Sequence, residues 1–351
     1  MDQKQKKLSL NHPTKIKNQI NSSYYISTFD NTKYNFYQYE IILPVHCNQF
    51  ENIYKNDQNT KFIQFCKYKS ELYDNFTISI YISHINREVG ASEWVELDLV
   101  TNKNEILDRR EIYCESGFLS EFLTKILINK QPFITRISMI KDGQRIFRID
   151  AQVPEDMYDE VSEQIFISLS SFRLLKPEGQ FTAEKLEKYE RIEPINIFFN
   201  YPSSWQIKKN MYTNNFYDII VDTSFNNVCA GQIYIEIHNR HEAIISKVLS
   251  AYFDRLKKVG VLTTGSPLIP VHPPKQFESA QFYYSSAKYN NYNINTPVLL
   301  FEVKKYIVLL GLIGPSKEAA PEWWAINKRA FEIVRDSLCV GKDDNNLNDN
   351  N

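Results

Sequence analysis

The stretch Phe76-Thr77-Ile78-Ser79-Ile80-Tyr81-Ile82-Ser83 decides the fold. Phe76, Ile78, Ile80 and Ile82 alternate with Thr77, Ser79 and Tyr81. A period of two sends the two sets to opposite faces of a pleated strand, so one face is apolar and buried. The pattern returns at 232–238, where Ile233, Ile235 and Ile237 alternate with Tyr234 and Glu236. A polar turn follows each strand, Asn86-Arg87-Glu88 in the first case and Asn239-Arg240-His241-Glu242 in the second. Each turn leads into a helix. Ser92 is expected to N-cap a helix carrying Trp94, Val95, Leu97 and Leu99. The other is expected over 243–259, with Gly260 as its C-cap.

Outward from these two anchors the same order of elements occurs twice. In the first half a strand over 37–43 stops at Pro44, and a second covers 61–68. After the helix come strands at 105–113, 131–141 and 144–152, the last two joined by a tight Asp142-Gly143 turn. A closing helix starts at Pro154, with Met157, Val161, Ile165 and Leu169 on one face, and 172–175 ends the unit. In the second half a strand over 195–201 stops at Pro202, and another covers 217–223. Strands follow at 276–289, 297–304 and 306–313. The closing helix begins near Ala320 or Pro321, with proline in its first turn, and carries Trp323, Ala330, Val334 and Leu338 on one face. The expected fold class is α+β, as two tandem domains over 24–176 and 194–340, each a twisted antiparallel sheet with flanking helices. A linker over 177–193, a loop plus a short solvated helix in its alternating-charge part, joins them. The polar ends, 1–23 and 341–351, are expected to be disordered tails.

Composition fits this reading. A chain of 351 residues suggests two domains, and 22 Tyr and 22 Phe against 10 Gly favour pleated structure. The abundance of Asn, Lys, Ile and Tyr suggests an AT-rich bacterial genome. Lys plus Arg is 41 and Asp plus Glu is 42; no basic stripe points to nucleic acid. Residues 1–21 lack the apolar core of a secretory signal, and no apolar run is long enough to span a membrane. Cys47, Cys66, Cys114, Cys229 and Cys339 are scattered, as free thiols in a reducing compartment would be. The expected location is therefore the cytoplasm.

Chemistry-bearing clusters are sparse. His238, His241 and Glu242 straddle a strand end and a turn, so their side chains need not converge on a metal. His46 and Cys47 are adjacent on an extended segment and should point to opposite faces, which argues against an activated thiol. Glu111 and Glu115 read as surface carboxylates, and no glycine-rich phosphate loop occurs. No catalytic residue, cofactor site or metal site is expected. Trp324, beside Trp323 on the closing helix, could sit at the edge of the core, where a tryptophan can anchor a partner. The segment containing Pro267, Pro270, Pro273 and Pro274, with Ser266 and His272, reads as an extended loop able to bind something. Trp205 reads as core at a sheet edge.

The order of elements resembles the PsbP-like fold, which includes photosystem PsbP subunits, a factor acting on the Ran GTPase and effector-associated chaperones of type VI secretion. Ile42-Leu43-Pro44 and Asn200-Tyr201-Pro202-Ser203-Ser204-Trp205 carry the resemblance, with the helix over 92–99 and the closing helices at Pro154 and Pro321. It spans nearly all of 36–340 as two copies and transfers no catalytic residue. It implies a non-enzymatic binding protein, a chaperone or adaptor for a client protein with a possible place in secretion. The alternatives are a structural adaptor subunit of a larger assembly or a small-molecule-binding protein.

Overall fold

The computed structural model describes residues 8–10, 22–29, 37–51, 61–114, 117–212, 216–226, 228–265, 267–289 and 292–341. The chain divides into two compact units. The first contains residues 1–86 and 91–183, and the second contains Arg87–Gly90 and the chain from Glu184 onward.

The first unit runs β1 (Tyr24–Phe29), β2 (Tyr39–Pro44), β3 (Cys47–Glu51), β4 (Ile63–Ser70), β5 (Thr77–His84), α1 (Ala91–Thr101), β6 (Glu105–Cys114), β7 (Gly117–Ile128), β8 (Gln131–Asp142) and β9 (Arg145–Pro154). A single 3-10 turn, Glu155–Met157, then leads into α2 (Tyr158–Ser171), and β10 (Arg173–Leu174) closes the unit. Seven strands form one sheet in the order β3-β4-β5-β9-β8-β7-β6, and β1-β2-β10 form a second. Every pairing is antiparallel. The alternation in β5 does what its sequence dictates: Ile78 and Ile80 are fully buried, in one core with Ile149, Ala151 and Val153 of β9. Val161, Ile165 and Leu169 of α2 close that core from above, together with Tyr39, Ile41 and Leu43 of β2.

The second unit contains β11 (Leu186–Arg191), β12 (Ile197–Pro202), β13 (Gln206–Tyr212), β14 (Phe216–Phe225), β15 (Val228–Asn239), α3 (Ile245–Lys258), β16 (Leu262–Gly265), β17 (Ile269–Val271), β18 (Ser279–Tyr283), β19 (Ser285–Tyr289) and β20 (Tyr292–Asn295). It ends with β21 (Val298–Val303), β22 (Tyr306–Pro315), α4 (Pro321–Ser337) and β23 (Cys339–Val340). Its large sheet has the order β13-β14-β15-β22-β20-β19-β16; β21 also pairs with β22, β18 with β21, and β17 with β18. A smaller sheet, β11-β12-β23, stands beside it. One face of the large sheet packs Ile233, Ile235, Val308 and Leu310 under Ala330 and Val334 of α4. The other packs Leu300, Ile307 and Leu309 under Val248, Tyr252 and Leu256 of α3. Burial on both faces explains why β21 and β22 read as continuous apolar runs rather than alternating ones.

Several expectations need correction. The 177–193 segment has the expected loop over 177–185, but its charged part is not a helix. Asp142 accepts hydrogen bonds from the Glu178 and Gly179 amides at 3.0 and 3.2 Å, and the Gly143 amide donates to the Gln180 carbonyl at 2.7 Å. This ties 178–180 to the β8–β9 hairpin, while Leu186–Arg191 is strand β11, in register with β12. The alternating charges that look helical belong to an edge strand, with Lys188 and Glu190 exposed and Tyr189 between them buried. Part of the 1–23 tail is also structured. Leu10 is buried in the first core, and its amide donates to Asp108 Oδ2 at 2.8 Å. The rest of that tail up to Asn21, and the 341–351 tail beyond Gly341, lie outside the described residues. Ser92 lies inside α1 rather than capping it. The strand expected over 276–289 is two strands, interrupted at Tyr284. Strands β1, β3, β7, β13, β16, β17, β20 and β23 have no counterpart in the expected order of elements.

Candidate protein-binding surface

The residues that sequence reasoning singled out are placed by different elements. Trp323 and Trp324 sit in the first turns of α4, behind Pro321. Trp323 is half-buried on the face that carries Ala330 and Val334. Its ring lies 5.5 Å from that of Phe225 at the β14–β15 hairpin, and the Arg87 guanidinium covers it at 4.8 Å. Trp324 is half-buried at the edge of this face, flanked by the Lys317 and Lys328 ammonium groups at 5.1 and 5.8 Å from its ring. These contacts hold both indoles in place and leave part of each exposed. Trp205 is core, 2% exposed.

The proline segment is not a loop throughout. Ile269–Val271 form β17, paired with Phe282, Gln281 and Ala280 of β18. Pro270 fits because β17 is an edge strand: a residue without an N–H is tolerated where that position faces away from the ladder. Pro273 and Pro274 follow as partly buried coil, and Ser266 lies outside the described residues. Ile269 and Val271 are exposed.

β17 belongs to the stretch of chain between α3 and β21, several of whose large apolar side chains are exposed. Leu262, Ile269, Val271, Tyr284, Tyr289 and Tyr292 all remain in solvent there. The region starts at the end of α3. The Gly260 amide donates to the Lys257 carbonyl at 3.0 Å, and the Val261 amide donates to the Leu256 carbonyl at 2.9 Å. Gly260 has φ +88°. This is a Schellman ending, which needs a residue without a Cβ penalty at Gly260. It turns the chain sharply into β16, leaving Lys257, Lys258 and Val259 exposed. β16 then pairs with β19, Leu262 opposite Lys288, and β19 pairs with β20, Tyr289 opposite Tyr292.

The groups considered for chemistry are engaged elsewhere. His238 Nε2 lies 3.1 Å from Glu236 Oε2, with its ring stacked on Phe216. The His241 amide donates to Asn239 Oδ1. No group of three or more His, Cys, Asp or Glu able to hold a metal occurs among the described residues. The expectation for His46 and Cys47 needs correction. The Sγ and Nδ1 atoms are 3.6 Å apart, because the chain turns at this strand start. The thiol is nevertheless buried, and burial pushes its pKa up to about 12. His46 is held by Ser70 Oγ at 2.9 Å and Gln164 Oε1 at 3.1 Å. Ser70 Oγ in turn accepts the Leu72 and Tyr73 amides, which marks it as a turn cap. Glu111 is ion-paired with Arg109, and the side chain of Glu115 lies outside the described residues.

A second buried polar cluster lies in the first unit. Arg148 holds Asp150 in a bidentate pair at 2.8 and 2.6 Å and reaches Asp98 of α1 at 2.6 Å. Burial would lower the pKa of the guanidinium, but the two carboxylates hold it above its ordinary value. The cluster fastens α1 to the sheet.

No family model matches the chain, and no curated protein matches it. Among solved structures it is similar to the cyanobacterial PsbP protein CyanoP from Synechocystis, with 13% identity over 42% of this chain and 92% of that one, at a TM-score of 0.34. It is similar to LpqN of Mycobacterium tuberculosis, described as involved in cell envelope biogenesis, with 13% identity over 45% and 91%, at 0.30. It is also similar to TplEi, an immunity protein of the type VI secretion system of Pseudomonas aeruginosa, with 11% identity over 86% and 94%, at 0.25. No helix among the described residues is long and apolar enough to cross a membrane.

Proposed function

We propose that this chain is a non-enzymatic protein-binding module, a chaperone or adaptor for a client protein. The observation that supports it is that six large apolar side chains in the stretch of chain between α3 and β21, Leu262, Ile269, Val271, Tyr284, Tyr289 and Tyr292, are left exposed. Exposed large apolar groups gain free energy when a partner covers them. The narrower reading, a place in a secretion system, rests on the sequence resemblance alone. A photo-crosslinking amino acid at Val271, with a second at exposed Leu127 of the first unit as control, tests the proposal in the native host. A discrete crosslinked partner at Val271 and none at Leu127 is expected. Equal, diffuse crosslinking at both would refute it. The structural-adaptor alternative predicts a partner that never exchanges in pulse-chase labelling.

A further inference from the structure

Counted outward from the isoleucine strands β5 and β15, the large sheets of the two units run in the same order. β9, β8, β7 and β6 follow β5, and β22, β21, β18 and β17 follow β15. The registers match residue by residue. Ile80 of β5 leads through Ile149 and Ser138 to Glu121 and then to Arg110 of β6. Ile235 of β15 leads through Leu310 and Leu299 to Phe282 and then to Ile269 of β17. Residues directly opposite in a ladder share a face. Ile269 therefore holds in the second unit the place of Arg110 in the first.

In the first unit this end of the sheet face is covered. The Leu8-Ser9-Leu10 segment lies there as coil, outside every ladder. Leu8 and Leu10 both pack on the first core. Asp108 accepts the Leu10 amide at 2.8 Å, and the Arg110 guanidinium donates to the Leu10 carbonyl. Two side chains of β6 thus hold both main-chain groups of one residue. Leucines two positions apart reach one surface from extended chain, whereas on a helix they would lie about 200° apart.

In the second unit the matching end of the face is left in solvent. The rows Ile269–Phe282–Leu299 and Val271–Ala280–Phe301 run from the surface into the core. Leu299 and Phe301 are 6% and 0% exposed, Phe282 is half-buried, and Ile269 and Val271 are 51% and 36% exposed. Neither row contains a polar residue. Pro270 removes a donor that a strand added at the β17 edge would use. A partner is therefore received on the face, as Leu8-Ser9-Leu10 is, and not at the edge.

We infer that the face formed by β17 and β18 seats an extended segment of a partner protein whose apolar side chains stand two residues apart, the pattern of Leu8-Ser9-Leu10. Such side chains are about 7 Å apart, the spacing of Ile269 and Val271 themselves. With Ile269 in the place of Arg110, the seat grips side chains rather than main chain, so apolar contact supplies the affinity. The inference rests on the protein-binding reading and adds the face and the chemistry of the segment.

The test uses the full chain and a fluorescein-labelled heptapeptide of serines with leucine at its third and fifth positions, followed by fluorescence anisotropy. Comparison peptides carry the leucines at the third and fourth positions, or carry none. The alternating peptide is expected to bind, with little dependence on salt. Both comparison peptides should bind at least about tenfold more weakly, because at least one leucine is then turned away or missing. I269T/V271T keeps branched side chains and is expected to weaken binding at least about tenfold, whereas Leu262→Thr on β16 leaves it unchanged. A photoreactive leucine in the peptide gives a reading that needs no variant: its crosslinks to the wild-type chain are expected within 267–283. The inference is overturned if the adjacent-leucine peptide binds as tightly, if Leu262→Thr weakens binding as much as I269T/V271T does, if the crosslinks map elsewhere, or if no peptide binds. A concentration-dependent dimer of the free chain that I269T/V271T abolishes would also overturn it, since a second copy would then fill the seat. Failure of the peptide to bind alongside a specific crosslink at Val271 in the native host would leave the broader protein-binding reading standing.

Discussion

The Tyr252 hydroxyl lies over Gly311, so close that a Cβ on Gly311 would sit 2.7 Å from the phenol oxygen. The contact lets α3 approach β22, and it leaves the hydroxyl buried without a hydrogen-bond partner among the described residues. Gly311→Ala should therefore overpack the interface and cost about 1–3 kcal/mol. Tyr252→Phe should be neutral or stabilising, because it removes an unsatisfied buried group. The double variant should recover much of the loss. Urea unfolding of the three proteins checks this; a Tyr252→Phe variant less stable than wild type by more than about 1 kcal/mol would show that the hydroxyl has a partner.

Arg148 compensates two buried carboxylates. Arg148→Met leaves Asp98 and Asp150 together in the interior and should cost about 3–5 kcal/mol near neutral pH. Burial already pushes the Asp150 carboxyl up, against the pull of Arg148. Without the guanidinium that rise grows. A carboxyl raised in the folded state contributes stability that is full below its unfolded pKa of about 3.9 and is lost as pH climbs through the folded value. The deficit of the variant should consequently shrink as pH falls from about 7 toward 4. Unfolding curves at several pH values measure it, and a deficit independent of pH would contradict the account.

Thiol chemistry should follow burial. Cys47 is 1% exposed with its pKa pushed up to about 12, whereas Cys229 is exposed. Alkylation of the native protein near pH 8, read peptide by peptide in a mass spectrometer, should label Cys229 about a hundredfold or more faster than Cys47. Comparable rates would mean that the β3 end of the first unit opens readily.

Leu10 packs in the first core although its neighbours in sequence are polar. Leu10→Ala should destabilise the first unit by about 2 kcal/mol, the lower end for a buried leucine, because a terminal segment can relax. Hydrogen exchange at β6, where Asp108 accepts the Leu10 amide, should accelerate in the same variant. Unchanged exchange would indicate that the segment detaches without consequence.

How much of this was legible in the sequence depended on how local the cause was. The alternation of β5 and β15 and the four-residue spacing in α2 are local, and each element formed where its pattern placed it. Strand β11 was misread because Glu187, Lys188, Glu190 and Arg191 look like a solvated helix; only the register against β12 makes Leu186–Arg191 a strand. Leu8 and Leu10 are a short apolar pair in a Lys-rich stretch, and Leu10 is held by Asp108 and Arg110, about a hundred residues away. The proline segment was singled out for exposure, and β17 is exposed, but its pairing with β18 is nonlocal too. The pairing of β16 with β19, Leu262 opposite Lys288, had no sequence signal, because it joins segments about 25 residues apart.

The clasp between 178–180 and the β8–β9 hairpin alters what a protease would find between the units. Read as a loop plus a short solvated helix, 177–193 looks open to nicking in its loop part. In the structure its first part is hydrogen-bonded down and its last part is woven into a sheet. Exposed Phe181 offers chymotrypsin a single narrow opening. A cut there would leave every strand with its own unit but Arg87–Gly90 of the second unit on the first fragment, so limited digestion should yield two resistant polypeptides divided near residue 182.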